Sequence, residues 1–295
     1  MREQGMGWLG TAYLRALQAV GRRLPYGTSV YEREWDVLVV LDGCRVDTLR
    51  RVASDVPALG EVEAVRSVGS SSSEWLERTF DPARAPVDRT VMVTGNTWTD
   101  RYLDAAAFAA LDEVWKYAWD GEHNTVPARA VTDRALAAAR QRDPDRLVVH
   151  YMQPHHPFVP DPLSGDDGLA RTGAASSETN PWVLLRRGEV SPERVRAAYR
   201  ANLRYVLDEV STLVENVAGR VAITADHANL FGEWGLYGHP MHTPVPALLR
   251  VPWAETAGEG RRTRNPDREP PEPLPVSRVY GGSDRDRLAA LGYLD

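Results

Sequence analysis

The 295-residue chain has one cysteine, Cys44, one lysine, Lys116, and no internal repeat. A single cysteine excludes an internal disulfide framework and fits a reducing compartment. No run of about 18 consecutive apolar residues occurs, so a transmembrane helix of normal length is not expected. The N-terminus also lacks the compact apolar core and small-residue cleavage site of a secretory signal. Together these absences predict a soluble, cytoplasmic, enzyme-sized protein. Net charge is −6, from 35 basic and 41 acidic residues, which excludes a global positive field and with it a nucleic-acid partner. The scarcity of lysine is what a GC-rich coding sequence produces. Arginine nevertheless grips oxyanions bidentately, which keeps individual arginines of interest.

What is present is the composition of an ordinary globular protein, with 43% hydrophobic and 26% charged residues. Residues 7–23 carry Trp8, Leu9, Tyr13, Leu14, Leu17 and Val20 at helical spacing, and Pro25 and Gly27 then break the chain. The basic face of this helix is thin, so packing on the domain is expected ahead of a weak membrane-surface contact. The continuous apolar run 36–41 reads as a central parallel strand buried on both faces. Further strands are expected at 62–68, 90–94, 147–152, 221–225 and 247–251, with helices at 46–53, 128–142 and 192–217. That alternation predicts an α/β fold, a mostly parallel central sheet with helices on both faces. Three parts are expected: an N-terminal helix and connector over 1–34, a catalytic domain over 35–256, and a linker with a short packed helix over 257–295. Residues 161–182 read as a polar loop or lid beside the site.

In parallel sheets the chemistry gathers at the carboxyl ends of strands. Asp42 follows the first strand, Gln153-Pro-His155-His156-Pro157 follows the fourth expected core strand, and Asp226-His227 follows the next, with Gly238-His239-Pro240 shortly after. Carboxylates and imidazoles from several strand ends can ligate one divalent cation, and the mixture suits Zn or Mn better than Ca. The run Ser70-Ser71-Ser72-Ser73, followed by Glu74, places a hydroxyl at the start of a helix, where the backbone favours an anion. Beside a cation such a hydroxyl becomes a nucleophile.

In order along the chain, VLDGCRVDTL (40–49), the serine run, HYMQPHHPF (150–158), TADH (224–227) and GLYGHP (235–240) resemble the alkaline phosphatase/sulfatase superfamily. The ending LAALGYL (288–294) resembles the close of many sulfatase-like chains. The resemblance implies an alkaline phosphatase-like fold, with Asp42, Asp226 and His227 as metal ligands and Ser72 as nucleophile, Ser71 and Ser70 remaining open. It implies that His155 or His156, with His239, holds the oxyanion, protonates the leaving group or binds a second metal, and that Arg45 contacts substrate oxygens. No Pro or Arg of the formylglycine type follows the serines, so this is not a formylglycine sulfatase. Asp42-Gly43 and Asp226-His227 look more like the phosphatase and phospho-transferase branch. Gln153-Pro-His155 lacks the Asp of a second metal site, so one divalent metal ion is expected. The implied function is hydrolysis of a phosphate or sulfate ester, on a small-molecule or glycan substrate, by a two-step displacement. Two alternatives stand beside it: a phospho-group transferase acting on a glycan or lipid acceptor, and a catalytically silent binding module. The sequence indicates no oligomeric state.

Overall fold

The computed structural model describes residues 8–56, 59–166, 169 and 180–266. The run of valines and leucines over Val37–Leu41 forms β1, and every residue of it is buried. It lies at the middle of a seven-stranded sheet with β2 (Glu63–Arg66), β3 (Thr90–Thr94), β4 (Ala110–Glu113), β5 (Arg146–Tyr151), β6 (Ala218–Thr224) and β9 (Arg250–Glu259). The order is β2-β9-β6-β1-β5-β3-β4. The five strands from β6 to β4 run parallel, β9 runs antiparallel to β6, and β2 pairs antiparallel with β9 at the edge. A small hairpin of β7 (Leu230–Phe231) and β8 (Tyr237–Gly238) stands apart.

Helices cover both faces, and two neighbouring residues of β5 show it. Side chains alternate along a strand. Tyr151 bonds Thr132 of α5 (Ala128–Arg142) at 2.8 Å, whereas His150 meets Trp75 of α3 (Ser72–Thr79), ring centroids 5.6 Å apart, on the other face. The long α7 (Pro192–Asn216) packs beside α5 and is capped by Ser191, with proline in its first turn. The remaining helices are α1 (Trp8–Gly21), α2 (Val46–Val52), α4 (Thr99–Tyr102), α6 (Pro181–Arg187) and α8 (Pro246–Leu249). Leu14 and Leu17 of α1 pack on Leu230, Leu236, Val245 and Leu248, so this helix docks on the domain.

Two expectations are corrected, and one strand was not expected. The segment 247–251 is not a strand: Pro246 starts the helical turn α8, and the chain then enters β9, which runs antiparallel to β6. The linker expected from 257 begins only after Glu259, and its first residues return to the helices, Arg264 Nε bonding Asp133 at 2.7 Å. β4 is an edge strand whose residues are all half-buried, so it lacks the apolar alternation that marks a strand. The C-terminal helix and most of the linker lie outside the described residues, as does much of the loop expected over 161–182. No helix among the described residues is long and apolar enough to cross a membrane.

Candidate metal centre

Because β5 and β6 flank β1, the carboxyl ends of three strands meet at one place. Asp42 directly follows β1, Asp226 stands two residues past β6, and His150 is the penultimate residue of β5. All three are buried, and their ligand atoms lie within 4.8 Å of one another.

Each carboxylate has one oxygen held and one without a partner. Asp42 Oδ2 accepts from Asn96 Nδ2 at 2.9 Å and from Ser72 Oγ at 3.2 Å, while Oδ1 has no hydrogen bond. Asp226 Oδ1 accepts from the backbone N–H of Gly43 at 3.0 Å and of His227 at 2.9 Å, leaving Oδ2 without one. Glycine is required at 43: its φ is +66°, and a Cβ there would stand 2.4 Å from Asn229 Nδ2. His227 donates from Nδ1 to the carbonyl of Ala228 at 2.8 Å, which leaves the Nε2 lone pair facing inward. That nitrogen lies 3.6 Å from Asp42 Oδ1 and 3.5 Å from Asp226 Oδ2.

Two anionic oxygens and a lone pair turned toward each other in a buried space repel unless positive charge lies between them. Burial, and then the charge of Asp226, push the Asp42 carboxyl well above its ordinary range. His150 supplies a further nitrogen: both of its ring nitrogens lack hydrogen bonds, and Nε2 lies 3.8 Å from Asp226 Oδ2. Burial lowers its pKa to about 4, against the pull of Asp226, so the ring is a neutral donor. Oxygen and imidazole donors with orphaned atoms converging on one point fit a divalent cation.

Of the three serines left open by the sequence, Ser72 is the one that reaches this group, its Oγ also lying 3.3 Å from His227 Nε2. Ser71 caps α3, and Ser70 bonds Glu74 and the carbonyl of Pro240. His155 and His239 meet with their Nε2 atoms 2.9 Å apart, and His239 stacks on His227 at 4.5 Å. Burial, followed by the neighbouring imidazoles, holds both well below the usual histidine range. His155 Nδ1 donates to the carbonyl of His156 at 2.6 Å, so its Nε2 accepts and His239 Nε2 carries the shared proton.

His156 lies against His155, ring centroids 4.4 Å apart, but turns toward Asp166, whose Oδ1 is 3.3 Å from Nδ1. Arg45 does not join the group. Its guanidinium bonds Asp47 at 2.9 Å, Glu233 at 2.7 Å and the carbonyl of Asn229 at 2.7 Å. Sequence reading did not assign Asn96, His150 or Asn202. Asn96 stands just past β3, where the strand-end rule points, and His150 was within a quoted motif. Asn202 of α7 holds the 154–157 turn by donating to the carbonyl of His155 at 2.9 Å, a contact with no local signature.

No protein-family model matches the chain, and no curated protein sequence matches it. Solved structures do. The soluble domain of lipooligosaccharide phosphoethanolamine transferase A from Neisseria meningitidis matches at a TM-score of 0.51 with 16% identity, over 77% of each chain. The integral membrane protein of that name matches at 0.52 with 14% identity, over 87% of this chain and 55% of that one. The C-terminal periplasmic domain of phosphoethanolamine transferase EptC from Campylobacter jejuni matches at 0.51 with 14% identity, over 76% and 78%. The cytoplasmic expectation is corrected by these matches, which include a periplasmic domain and an integral membrane protein. A lone cysteine forms no internal disulfide in any compartment, so its scarcity carried no address. The sheet order, the convergent strand ends and these structural matches agree, and the chain has the alkaline phosphatase/sulfatase-like fold.

Proposed function

We propose that this chain is a metal-dependent enzyme that cleaves a phosphate ester by displacement at Ser72, with its catalytic machinery in residues 35–256. The observation that supports it is the meeting of the Ser72 hydroxyl with the inward-facing atoms of Asp42, Asp226 and His227. A divalent ion held by Asp42, Asp226 and His227, with His150 beside them, supplies positive charge that acidifies the hydroxyl and offsets charge on the phosphoryl oxygens. Zn or Mn suits this donor set better than Ca.

Ser72 begins α3, so its oxygen also lies in the field of a helix N-terminus. Its hydrogen bond to Asp42 Oδ2 orients the hydroxyl and gives the proton a destination as the oxygen attacks phosphorus. The bond from phosphorus to the leaving alcohol breaks, and the departing oxygen takes its proton from solvent water, with the neutral His155–His239 pair beside the site as hydrogen-bonding groups. Water or an acceptor alcohol then takes the group from Ser72. Hydrolysis is the first reading. Transfer to a glycan or lipid alcohol is the second, favoured by the structural matches, which are phosphoethanolamine transferases in name, two of them lipooligosaccharide phosphoethanolamine transferase A. Sulfate esters are the remaining substrate class.

Elemental analysis of the purified protein, with nitrophenol release from aryl phosphate monoesters, phosphodiesters and sulfate esters, tests the proposal. Bound Zn or Mn that disappears in Asp226→Ala, and turnover lost in both Asp226→Ala and Ser72→Ala, is the expected result. A protein that takes up no metal on reconstitution and turns over no ester is a silent module, and the proposal fails.

A further inference from the structure

α1 has two apolar faces, and among the described residues one of them packs on the domain. Leu14, Leu17 and Gly21 face the domain, and Leu14 and Gly21 are buried. On the opposite side Trp8, Leu9, Ala12, Tyr13, Ala16, Ala19 and Val20 are all exposed. At 100° per residue these seven positions fall within one face roughly 140° wide. Trp8 is 81% and Leu9 73% exposed, so the stripe ends in large side chains standing in water. A solvent-facing helix surface ordinarily carries charge, and this one carries none along its centre.

A separate element adds to it. The loop bearing Leu236, on which α1 packs, also presents Trp234, 56% exposed. Trp234 has a φ of +56°, between Gly232 at +115° and Gly235 at +72°, so a bulky residue is held outward on strained backbone.

Basic charge predominates beside these apolar groups, although Glu233 precedes Trp234 and pairs with Arg45. Arg15, Arg22 and Arg23 border the stripe and are exposed, and residues 8–24 contain no acid. Ala247, which packs in the cluster under α1, also lines a cleft of about 270 Å³ with Arg45, Arg50, Arg250, Val46 and Asp47. Apolar and aromatic side chains flanked by arginine are the composition that enters the boundary of an anionic bilayer. A second copy of the chain fits less well. At roughly 21 Å long and about 10 Å across, the face offers on the order of 200 Å², short of the area of about 800 Å² per partner in a stable dimer.

We propose that the outward face of α1, with Trp234 and the adjoining arginines, docks the protein on an anionic lipid bilayer. The inference does not rest on the metal-centre reading, since it concerns a surface and not turnover. The test is sedimentation of the full chain with vesicles of phosphatidylcholine and phosphatidylglycerol in equal parts, against pure phosphatidylcholine. Binding to the mixed vesicles exceeds binding to the neutral ones by at least about tenfold at low salt and weakens as salt rises. The triple variant Trp8→Glu, Leu9→Glu, Tyr13→Glu loses at least about tenfold of that binding. It keeps the thermal midpoint, because all three side chains are exposed and none belongs to the cluster under α1. Arg22→Glu with Arg23→Glu removes most of the salt dependence, and Asp226→Ala binds vesicles like the parent whether or not the metal reading holds. A parent that fails to sediment with anionic vesicles overturns the proposal, as does a triple variant that still does. So does a dimer, seen by light scattering, that the triple variant dissolves while vesicle binding stays absent.

Discussion

Two buried polar clusters touch the serine run, and they are built in opposite ways. Around Glu74 the hydrogen bonds are made: its oxygens accept from Tyr26 Oη at 2.7 Å, from the N–H of Ser70 at 3.0 Å and from the N–H of His242 at 2.9 Å. Arg78 lies 3.1 Å away and His242 Nδ1 3.0 Å away. A few residues along, Asp42 Oδ1, Asp226 Oδ2 and both nitrogens of His150 have no hydrogen bond at all. Burial acts on both clusters and works against charge in both. At Glu74 the hydrogen bonds outweigh it and hold the pKa at about 2; at Asp42 nothing does. A satisfied cluster ties α3 to the loop carrying His239. An unsatisfied one stores repulsion that a cation relieves, which is the signature of a site.

That contrast can be tested from its strongest consequence downward. Ser72→Ala lowers kcat of the metal-loaded protein by at least about a thousandfold while metal content is kept. Ser70→Ala leaves kcat within roughly tenfold but lowers the thermal midpoint, because Ser70 serves the Glu74 cluster and accepts from the N–H of Thr243 at 3.0 Å. Equal loss of turnover in both variants would erase the distinction between the two serines.

Glu74→Gln comes next. The folded pKa of about 2 lies below the ordinary 4.5, so the carboxylate contributes stability above pH 4.5 and loses it as pH falls toward 2. The full contribution is on the order of 3 kcal/mol. Urea unfolding at pH 6 and pH 3 should show a smaller pH-dependent loss for Glu74→Gln than for the parent.

Asp42→Asn sharpens the comparison by sign. Without metal it removes one of two repelling carboxylates and raises stability by about 1 kcal/mol. It also abolishes the rise in thermal midpoint that Zn or Mn gives the parent. Destabilisation of the metal-free protein by Asp42→Asn would place the group among ordinary buried networks.

The smallest effect belongs to Arg45. Its partners Asp47 and Glu233 are partly exposed, so Arg45→Gln costs less than about 1 kcal/mol of stability. It also leaves kcat within roughly threefold, since the guanidinium is engaged away from the carboxylates.

Much of this was legible in local signals. The apolar run at β1, the strand at 90–94 and the helix at 128–142 appear where side-chain periodicity places them, and the residues at the strand ends follow from the parallel architecture. Sequence by itself determined most of the core elements, their mostly parallel arrangement and the carboxylates and histidines available, because periodicity and strand-end position are properties of neighbouring residues. Tertiary structure alone decided which of those groups meet. Asn96 reaches Asp42 across 54 residues, Asn202 reaches His155 across 47, and Glu233 takes up Arg45 across 188. It also decided that β9 turns antiparallel and that α1 keeps one apolar face in water. Such contacts are set by which surfaces the packed sheet and helices bring together, and no spacing along the chain encodes them.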